Sequence, residues 1–455
     1  MAQPALDRKA PGAHDEPHGL AVVCPRATST VLLLGATGFI GTRLTRALRQ
    51  ADFEVVCGVR TGVAVAACRC VEVDYTRDHA VADWLPRLAG IDVVVNAAGI
   101  LRESAAATFE ALHVDAPTAL FRACDEAGVA KVVQISALGA DLHAVSRYHT
   151  TKKRGDDALA ALPLAWVIVQ PSLVFGEGGA SATLFTRLAA LPLIPLPGDG
   201  GQHVQPVHVD DLCEALVKLI GTSAHDRRRV AAVGPRPVTL RELLEALRTA
   251  LGLGPAHFVR VSMALVRLAA AAGDRLPGVL LDRESLGMLL RGNVSSPARI
   301  TAVLGRPPRP VEAFVPPAAA RAMANEARLA WLLPILRVTI AIVWIATAIV
   351  SFGVYPVEES YALLARVGLH GTPAAIALYG AAALDLAFGI GILVMRYRRW
   401  LWRAQMILIA GYSIVIAIFL PEEWLHPYGP MLKNLPMLAA ILLLHEFEAE
   451  GYREK

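Results

Sequence analysis

The chain has 455 residues, a formal net charge of +4 and 55% hydrophobic residues. Its mean hydropathy of +0.46 is too high for an ordinary soluble enzyme, and the apolar excess lies after about residue 330. The charge is mild and no basic patch is interleaved with aromatic residues, which argues against a nucleic-acid-binding protein. The length predicts two or three domains.

The first 28 residues carry scattered charges, prolines and glycines. Their longest apolar run, residues 20–23, is too short for a signal-peptide core. We therefore expect a disordered leader over residues 1–28 and a first domain that stays in the cytoplasm. The six cysteines form no CxxC pair and no Cys/His cluster with metal-ligand spacing, so we expect reduced thiols and no metal site.

The stretch VLLLGATGFIG, residues 31–41, predicts a nucleotide site. Residues 31–34 read as a buried strand, residues 42–50 as an amphipathic helix, and the glycines between them recur every third position. Glycines at this spacing let the backbone turn tightly and approach a pyrophosphate, which the amides at the helix N-terminus bind. The predicted cofactor-binding residues of this turn are Gly35, Thr37, Gly38, Phe39, Ile40 and Gly41.

A second strand is predicted over residues 53–59, and Arg60 follows it directly. In nucleotide folds of this kind, an acidic residue at that point binds the ribose 2′-hydroxyl of NAD, whereas an arginine suits the 2′-phosphate of NADP. Arg60 therefore favours NADP(H) as cofactor, with NAD(H) as the alternative. The other interpretation of Arg60 is a solvated surface side chain.

Further strands and helices alternate along the chain. Strands are predicted over residues 70–73, 91–96 and 131–135, and a helix over residues 116–127. This alternation predicts an α/β fold with a doubly wound parallel sheet of the Rossmann type. The small residues Ala97, Ala98 and Gly99, after Asn96, would let a flat cofactor lie against the backbone.

Tyr148 and Lys152 are four residues apart and so lie on one face of a helix. A neighbouring ammonium lowers the pKa of a phenol, which otherwise titrates near 10. Ser136, at the end of a predicted strand, could hold a substrate oxygen near the phenol. The three residues predict a hydride-transfer site in which Tyr148 exchanges the proton and Lys152 also holds the ribose. The alternative is that the three residues are retained but take no part in catalysis.

Residues 30 to about 320 resemble the short-chain dehydrogenase/reductase family in its extended or atypical branch. The resemblance rests on GATGFIG (35–41), NAAG (96–99), the Ser136/Tyr148/Lys152 set, QPSLVFG (170–176) and QPVHVDDLCEAL (205–216). The nearest group is the atypical one that includes the NADPH-binding accessory subunit of respiratory complex I. The resemblance implies that Asp74 lies near the adenine and that Pro171 and Val174 line the nicotinamide. Gln170 departs from the usual Arg-Pro pair, which weakens the case for a sugar-nucleotide substrate.

The resemblance also sets the domain boundaries. The nucleotide-binding domain covers residues 29–320, and a smaller substrate lobe covers about 177–317. Residues 307–317 contain five prolines and read as a linker. The apolar segment 263–272, interrupted by Arg267, is predicted as a helix that lies either on a membrane surface or in the core of the lobe.

The last third of the chain predicts a transmembrane four-helix bundle. The predicted spans are 331–353, 372–395, 401–420 and a shorter one over 431–447. Arginines at 396, 398, 399 and 403 place the loop between the second and third spans in the cytoplasm, together with both termini. The stretch LPEEWLHPYGPMLKNLP, residues 420–436, resembles the DoxX-like membrane domain, which would cover residues 330–447. The protein is thus expected to be a multi-pass membrane protein, of the inner membrane if it is bacterial.

Asp385 falls in the middle of the second predicted span, where an ionisable group is costly. It makes either a structural hydrogen bond between helices or a contact with a ligand or proton. His426, Lys433 and Asn434 are its candidate partners, or simply anchors at the membrane interface.

These features together predict a membrane-anchored NADP(H)-dependent oxidoreductase that transfers hydride to or from a carbonyl or alcohol. The membrane half favours a lipid-soluble substrate that enters from the bilayer. Two alternatives stay open at this point, namely a non-catalytic NAD(P)H-binding scaffold or redox sensor, and an NAD-dependent epimerase/dehydratase. The sequence identifies neither the substrate nor any protein partner.

Overall fold

The structure is a computed structural model that describes residues 29–275, 281–396, 398–424 and 431–450. For residues 449 and 450 it describes the backbone alone. The predicted leader and His426 lie outside these residues. The chain separates into two compact units. The first consists of the described residues up to Ala182 with Gly200–Leu240 and Ser262–Phe314, and the second of Thr183–Asp199, Arg241–Val261 and the residues from Val315 onward.

The described residues form thirteen strands. They are β1 Thr30–Leu34, β2 Glu54–Val59, β3 Arg69–Glu72, β4 Val93–Asn96, β5 Lys131–Ile135, β6 Ala165–Pro171, β7 Val174–Phe175, β8 Ile194–Pro197, β9 His203–Val204, β10 Val207–His208, β11 Arg228–Ala232, β12 Val238–Thr239 and β13 Phe258–Val261.

Helices alternate with the strands in the first half and follow them in the second. They are α1 Phe39–Gln50, α2 Val81–Trp84, α3 Ala116–Glu126, α4 Arg147–Ala160, α5 Ala180–Ala189, α6 Val209–Ile220, α7 Leu240–Ala250, α8 Met263–Gly273, α9 Arg283–Arg291, α10 Ala298–Leu304, α11 Pro317–Ile349, α12 Val357–Arg366, α13 Gly371–Val394, α14 Arg399–Phe419 and α15 Asn434–Glu450. Single π-helical turns occur at Ala111–Asp115 and Val350–Val354. Short 3₁₀ turns occur at Leu85–Leu88, Val311–Ala313 and Pro421–Trp424.

A seven-stranded parallel sheet organises the first unit, which confirms the predicted fold class. Its strand order is β11-β6-β5-β4-β1-β2-β3. The central strands are apolar along their length because helices cover both faces of the sheet, so that Val31 to Leu34 are fully buried. The chain connections reverse direction between β1 and β4, and ligands of such sheets bind in the crevice at the carboxyl ends of these strands.

The first helix starts three residues earlier than the sequence indicates. Gly38 is extended (φ −79°, ψ 173°) and precedes the first helical residue, Phe39. Phe39, Ile40 and Gly41 therefore lie in the first turn of α1. This brings the amides of the helix N-terminus directly after the glycine turn.

The proline-rich segment 307–317 was expected to be a linker, and this prediction is wrong for most of its length. Val311 and Phe314 are buried, and the Phe314 ring stacks on Phe175 at 5.0 Å between centroids. The Arg309 backbone N–H donates to Asp211 Oδ2 at 2.6 Å. Since aromatic packing and a buried carboxylate hold it, the segment up to Phe314 belongs to the first unit.

The second unit contains a short parallel pair of strands and the apolar helices. In the pair, β8 runs alongside β13, and Arg248 of α7 donates to the carbonyls of Ala189 and Leu191. Within the described residues, three helices are long and apolar enough to cross a membrane: Pro317–Val354, Gly371–Val394 and Arg399–Phe419. The first begins well before the predicted residue 331. Helix α15 has 17 residues, so the predicted fourth span stays a prediction.

Polar contacts mark one end of these helices. Glu448 of α15 accepts hydrogen bonds from Arg337 of α11 and from Trp402 of α14, the latter at 2.8 Å. Arg398, just before α14, lies 3.7 Å from the same carboxylate. The C-terminal end of α15 therefore lies at the same end of the bundle as the arginine-rich loop.

Asp385 is buried in α13, and its Oδ1 has no hydrogen-bond partner among the described residues. Asn434, one of its candidate partners, donates instead to Ser413 Oγ at 3.0 Å. Lys433 is exposed.

Candidate active site

The glycine turn after β1 forms a cradle in which side chains do not fit. Gly35 has a φ of +77°, and a Cβ on it would lie 2.7 Å from the Ala97 carbonyl oxygen. A Cβ on Gly41 would lie 2.0 Å from the Gly35 oxygen. The backbones of the glycine turn, of the first turn of α1 and of the loop after β4 are thus in direct contact, with no room for side chains between them. No side chain caps α1 and its first turn contains no acidic residue, so these groups fit a pyrophosphate.

The residues after β4 are shaped by a buried polar network. Asn96 Oδ1 accepts from the Tyr75 hydroxyl at 2.8 Å and from the Ala98 N–H at 3.2 Å. Its Nδ2 donates to Gln134 Oε1 at 2.8 Å. The Asn96 side chain therefore shapes the 97–99 loop from beneath. Thr37 is exposed in the glycine turn, and Ile40 is half-buried in the first turn of α1.

The adenosine end of the cradle carries charges of both signs. Arg60 is exposed directly after β2, as predicted. Asp74 accepts from the Thr76 hydroxyl at 2.6 Å, and this bond is the main cause that holds the pKa of its carboxyl below the usual value. Glu72, opposite Val59 in the sheet, accepts from the Thr61 hydroxyl. Arg60 could bind the 2′-phosphate of NADP, and Glu72 could accept a hydrogen bond from the 2′-hydroxyl of NAD. The arrangement therefore fits either nucleotide and does not select one of them.

Tyr148 lies in the first turn of α4 within an aromatic cluster. Its ring makes edge contacts with Phe109 at 5.9 Å, His113 at 5.5 Å and His149 at 5.3 Å between centroids. Ser146 caps the helix by accepting from the His149 N–H. Burial, and secondarily the Asp156 carboxylate, raises the pKa of Tyr148 to about 12. The expected lowering of this pKa by Lys152 is therefore not present in the structure.

Lys152 is buried one turn further along α4. Its Nζ donates to the Ile135 carbonyl at 3.2 Å, and a Cβ on Gly99 would lie 3.0 Å from it. Burial lowers the pKa of Lys152 to about 8, against the opposing effect of Asp156. The structure thus brings Lys152 close to Gly99 of the NAAG loop, two of the predicted site residues.

Ser136 is held by a residue that the sequence does not single out. Its hydroxyl donates to Asp156 Oδ2 at 2.5 Å, and both side chains are buried. Burial raises the pKa of Asp156 to about 6, and its Oδ1 has no hydrogen-bond partner among the described residues. In this arrangement the Ser136 hydroxyl is engaged, so holding a substrate oxygen would require it to leave Asp156.

His113, in the π-helical turn, is a second residue that sequence reasoning misses. The Thr151 hydroxyl donates to the Arg147 carbonyl at 2.8 Å, so His113 Nδ1 must donate to that hydroxyl, 3.0 Å away. Its Nε2 then accepts from the Ile100 N–H at 3.3 Å. Burial, with Lys152 nearby, lowers the pKa of His113 to about 2, so the ring is neutral. The sequence around it contains no recognisable motif.

Three contacts from α9 and the residue before it surround the Tyr148 end of α4. Glu284 Oε1 accepts from the Tyr148 N–H at 2.8 Å. Asp282 Oδ2 accepts from Arg102 Nε at 2.7 Å. Arg291 donates to Asp141 at 2.7 Å and to the Gly139 carbonyl. The loops after β4 and after β5 are thus fixed to α9 and the residue before it.

The remaining predicted residues lie where β6 meets β7. The Pro171 carbonyl accepts from the Leu138 N–H at 2.8 Å. Val174 pairs with Val207 of β10. The ring of Phe39 lies against the backbone at Gly179, since a Cβ there would be 2.7 Å from it. No ligand defines their contact with a cofactor, so their role stays a prediction.

Comparison with known proteins supports both halves of this description. Residues 31–234 match the NAD dependent epimerase/dehydratase family, and residues 341–442 match the DoxX-like family. A ceramide reductase of Caulobacter vibrioides is 29% identical over 262 residues, covering 57% of this chain and 79% of that protein. The mouse mitochondrial NADH dehydrogenase [ubiquinone] 1 alpha subcomplex subunit 9 is 24% identical over 244 residues, covering 50% of this chain and 63% of that protein.

A solved structure shares the fold. It is a nucleoside-diphosphate-sugar epimerase from Staphylococcus aureus, with a TM-score of 0.53 and 18% identity. The match covers 63% of this chain and 99% of the epimerase. The matches to families and relatives support an NAD(P)-dependent enzyme of the oxidoreductase or epimerase type, and they confirm the resemblance stated from the motifs.

Proposed function

We propose that this chain joins an NAD dependent epimerase/dehydratase domain to a DoxX-like domain. On this premise, it is a membrane-anchored NADP(H)-dependent oxidoreductase. The reaction is the interconversion of a carbonyl and an alcohol. The observation that carries the proposal is the placement of Tyr148 and Lys152 on one face of α4, with Lys152 against the glycine of the NAAG loop. This is the arrangement that general acid-base chemistry beside a nicotinamide requires.

The pKa values favour the reductive direction. When bound, the nicotinamide supplies the hydride. Tyr148 has a pKa of about 12, so its hydroxyl is protonated at neutral pH and can donate a proton to the carbonyl oxygen. Lys152, with a pKa of about 8, is mostly protonated at neutral pH, so its ammonium can hold the ribose hydroxyls of the nucleotide.

The substrate that we propose is a lipid ketone or aldehyde. Among the described residues, three helices are long and apolar enough to cross a membrane, so the same chain can stay close to membrane lipids. The relative from Caulobacter vibrioides is a ceramide reductase, which supports a lipid carbonyl as the class of substrate. Gln170 in place of the usual arginine speaks against a sugar nucleotide.

We further propose that the nucleotide-binding domain and the C-terminus face the cytoplasm. Arg398 lies near Glu448, so the C-terminal end of α15 is at the same end of the bundle as the basic loop. Basic loops remain on the cytoplasmic side, which supports this orientation.

A second candidate function is an NAD-dependent epimerase or dehydratase, because the family that matches residues 31–234 includes such enzymes by its description. An epimerase regenerates its nucleotide in each cycle, whereas a reductase consumes a reduced nucleotide from solution. Net oxidation of added NADPH therefore separates the two functions.

The decisive experiment uses the full-length protein in lipid nanodiscs with NADPH and a long-chain lipid ketone. We expect oxidation of NADPH that depends on the ketone. Tyr148→Phe removes only the hydroxyl, so turnover should fall by about 10²- to 10⁴-fold while NADPH affinity stays unchanged. Tyr361→Phe, in α12, is the matched control and should behave as the wild type. Wild-type turnover by Tyr148→Phe would refute the assigned mechanism.

A further inference from the structure

Large apolar side chains are exposed on the segments around Tyr148. Leu142 and Val145, in the loop between β5 and α4, are 86% and 88% exposed. Leu268 of α8 is 68% exposed. We call the exposed set the apolar rim: Leu101, Leu142, Val145, Leu265, Leu268 and Leu290.

The polar contacts of the site hold most of these segments together. Arg102, next to Leu101, bonds Asp282 at the start of α9. Arg291, next to Leu290, bonds Asp141, the neighbour of Leu142. Helix α8 packs against α9. The rim is therefore built on elements that are fixed to one another around the N-terminus of the catalytic helix.

Helix α8 has the composition of an interfacial helix. It buries only a narrow stripe of small side chains, Val266, Ala270 and Gly273, while Leu265 and Leu268 are exposed. Arg267 is exposed between these two leucines, and no ion pair involves it in the part of the chain that the structure describes. An apolar face that carries an arginine between its leucines suits the boundary between acyl chains and anionic headgroups. With 11 residues, α8 is too short to span a bilayer.

We propose that the apolar rim is a bilayer-contact surface, through which the substrate reaches Tyr148 directly from the lipid phase. Isolated exposed leucines are common, but a set grouped on joined segments marks an interaction site. Two observations favour lipid as the occupant: the unpaired Arg267 beside the leucines and the membrane-length helices of the same chain. The passage of substrate rests on the proposed function, whereas the membrane contact does not.

The contact can be measured on the full-length protein in nanodiscs that contain an anionic phospholipid. Cys24, Cys68 and Cys70 are replaced by serine, which leaves the buried Cys57, Cys124 and Cys213. A nitrobenzoxadiazole label is then attached at Leu268→Cys or at Val63→Cys. Val63 is the matched control because it is exposed but lies outside the rim. We expect doxyl-labelled lipids to quench the label at 268 and not at 63.

The other outcomes overturn the proposal. Emission at 268 that is blue-shifted but not quenched by doxyl lipids would mean that protein, either a partner or a second copy, covers the rim. Emission typical of water would mean that the rim is solvated.

The passage of substrate has its own test. Leu265→Glu combined with Leu268→Glu should raise the KM for a bilayer-embedded ketone roughly tenfold, as expected when apolar contact with lipid is lost. The KM for a short water-soluble ketone and the affinity for NADPH should not change, and Val63→Glu, assayed at saturating NADPH, should change neither KM. A rise in both KM values would show damage to the site and refute direct passage. If no ketone is reduced, the proposed function fails, while the quenching result still decides the membrane contact.

Discussion

Gly155→Ala tests whether close contact between α4 and the π-helical turn positions Tyr148 and Lys152. A Cβ on Gly155 would lie 2.2 Å from the His113 carbonyl oxygen, about 1.2 Å closer than ordinary contact at 3.4 Å. The obstacle is backbone, so α4 or the turn must move. The gain in helix propensity is about 1 kcal/mol, and overpacking a core costs typically about 1–3 kcal/mol. Because the obstacle is backbone at 2.2 Å, the cost lies in the upper part of this range, about 2–3 kcal/mol, and we expect a net loss of about 1–2 kcal/mol.

Gly287→Ala is the matched control. Gly287 also lies inside a helix, α9, and a Cβ there would meet nothing within 4 Å. It should keep the gain in propensity without the clash. A loss of 1 kcal/mol lowers Tm by about 2–4 °C in a domain of this size, so Gly155→Ala should melt about 2–8 °C below the wild type and Gly287→Ala at or above it.

The same displacement should impair turnover more than nucleotide binding. Tyr148 and Lys152 lie on α4, and a misplacement of about 1 Å can cost about 10²-fold in rate. Thermal unfolding, NADPH affinity and turnover of the full-length protein in detergent measure the three effects. If Gly155→Ala is as stable and as active as Gly287→Ala, the close approach of the two elements does not position the site.

Two further predictions concern the nucleotide and the buried carboxylate. Arg60→Ala should remove most of the preference for NADPH over NADH, because a charge-assisted hydrogen bond contributes about 1.5–3 kcal/mol. Glu72→Gln should weaken the binding of NADH more than that of NADPH. Equal affinities of the wild type for the two nucleotides, measured by titration, would contradict the prediction for Arg60. Asp156 titrates at about 6 instead of 3.8, so the folded state retains a proton between these values and stability falls as pH rises from about 4 to about 6. Asp156→Asn should remove this dependence of Tm on pH. It should also lower the pH at which nucleotide binding is lost on the alkaline side, since the carboxylate raises the pKa of Lys152. If neither pH dependence changes, Asp156 is not the group that titrates.

The sequence predicts the local parts of this site well. The glycine turn, the strand before it and the spacing of Tyr148 and Lys152 are encoded within a few residues, and periodicity reveals them. The alternation of strands and helices was likewise sufficient to predict the parallel sheet.

The interactions between distant segments could not be predicted in this way. Asp156 lies on α4 but acts on Ser136 at the end of β5, and nothing in its neighbourhood in the sequence indicates that partner. The tautomer of His113 follows from a hydrogen bond to Thr151, 38 residues away. The pKa of Tyr148 depends on burial, which no spacing of residues reveals. The packing of the proline-rich segment depends on Phe314 finding Phe175.

The contacts of α9 with the catalytic face have a consequence for the order of assembly. They join residues separated by 136 to 180 positions in the chain. Long loops must close before such contacts can form, so these bonds are expected to form late in folding. When Arg291 has been synthesised, only a short helix and the packed proline segment separate it from α11. The face of α4 that carries Tyr148 is therefore completed only after the chain has been synthesised almost as far as the apolar helices, so we expect this part of the fold to mature just before those helices emerge.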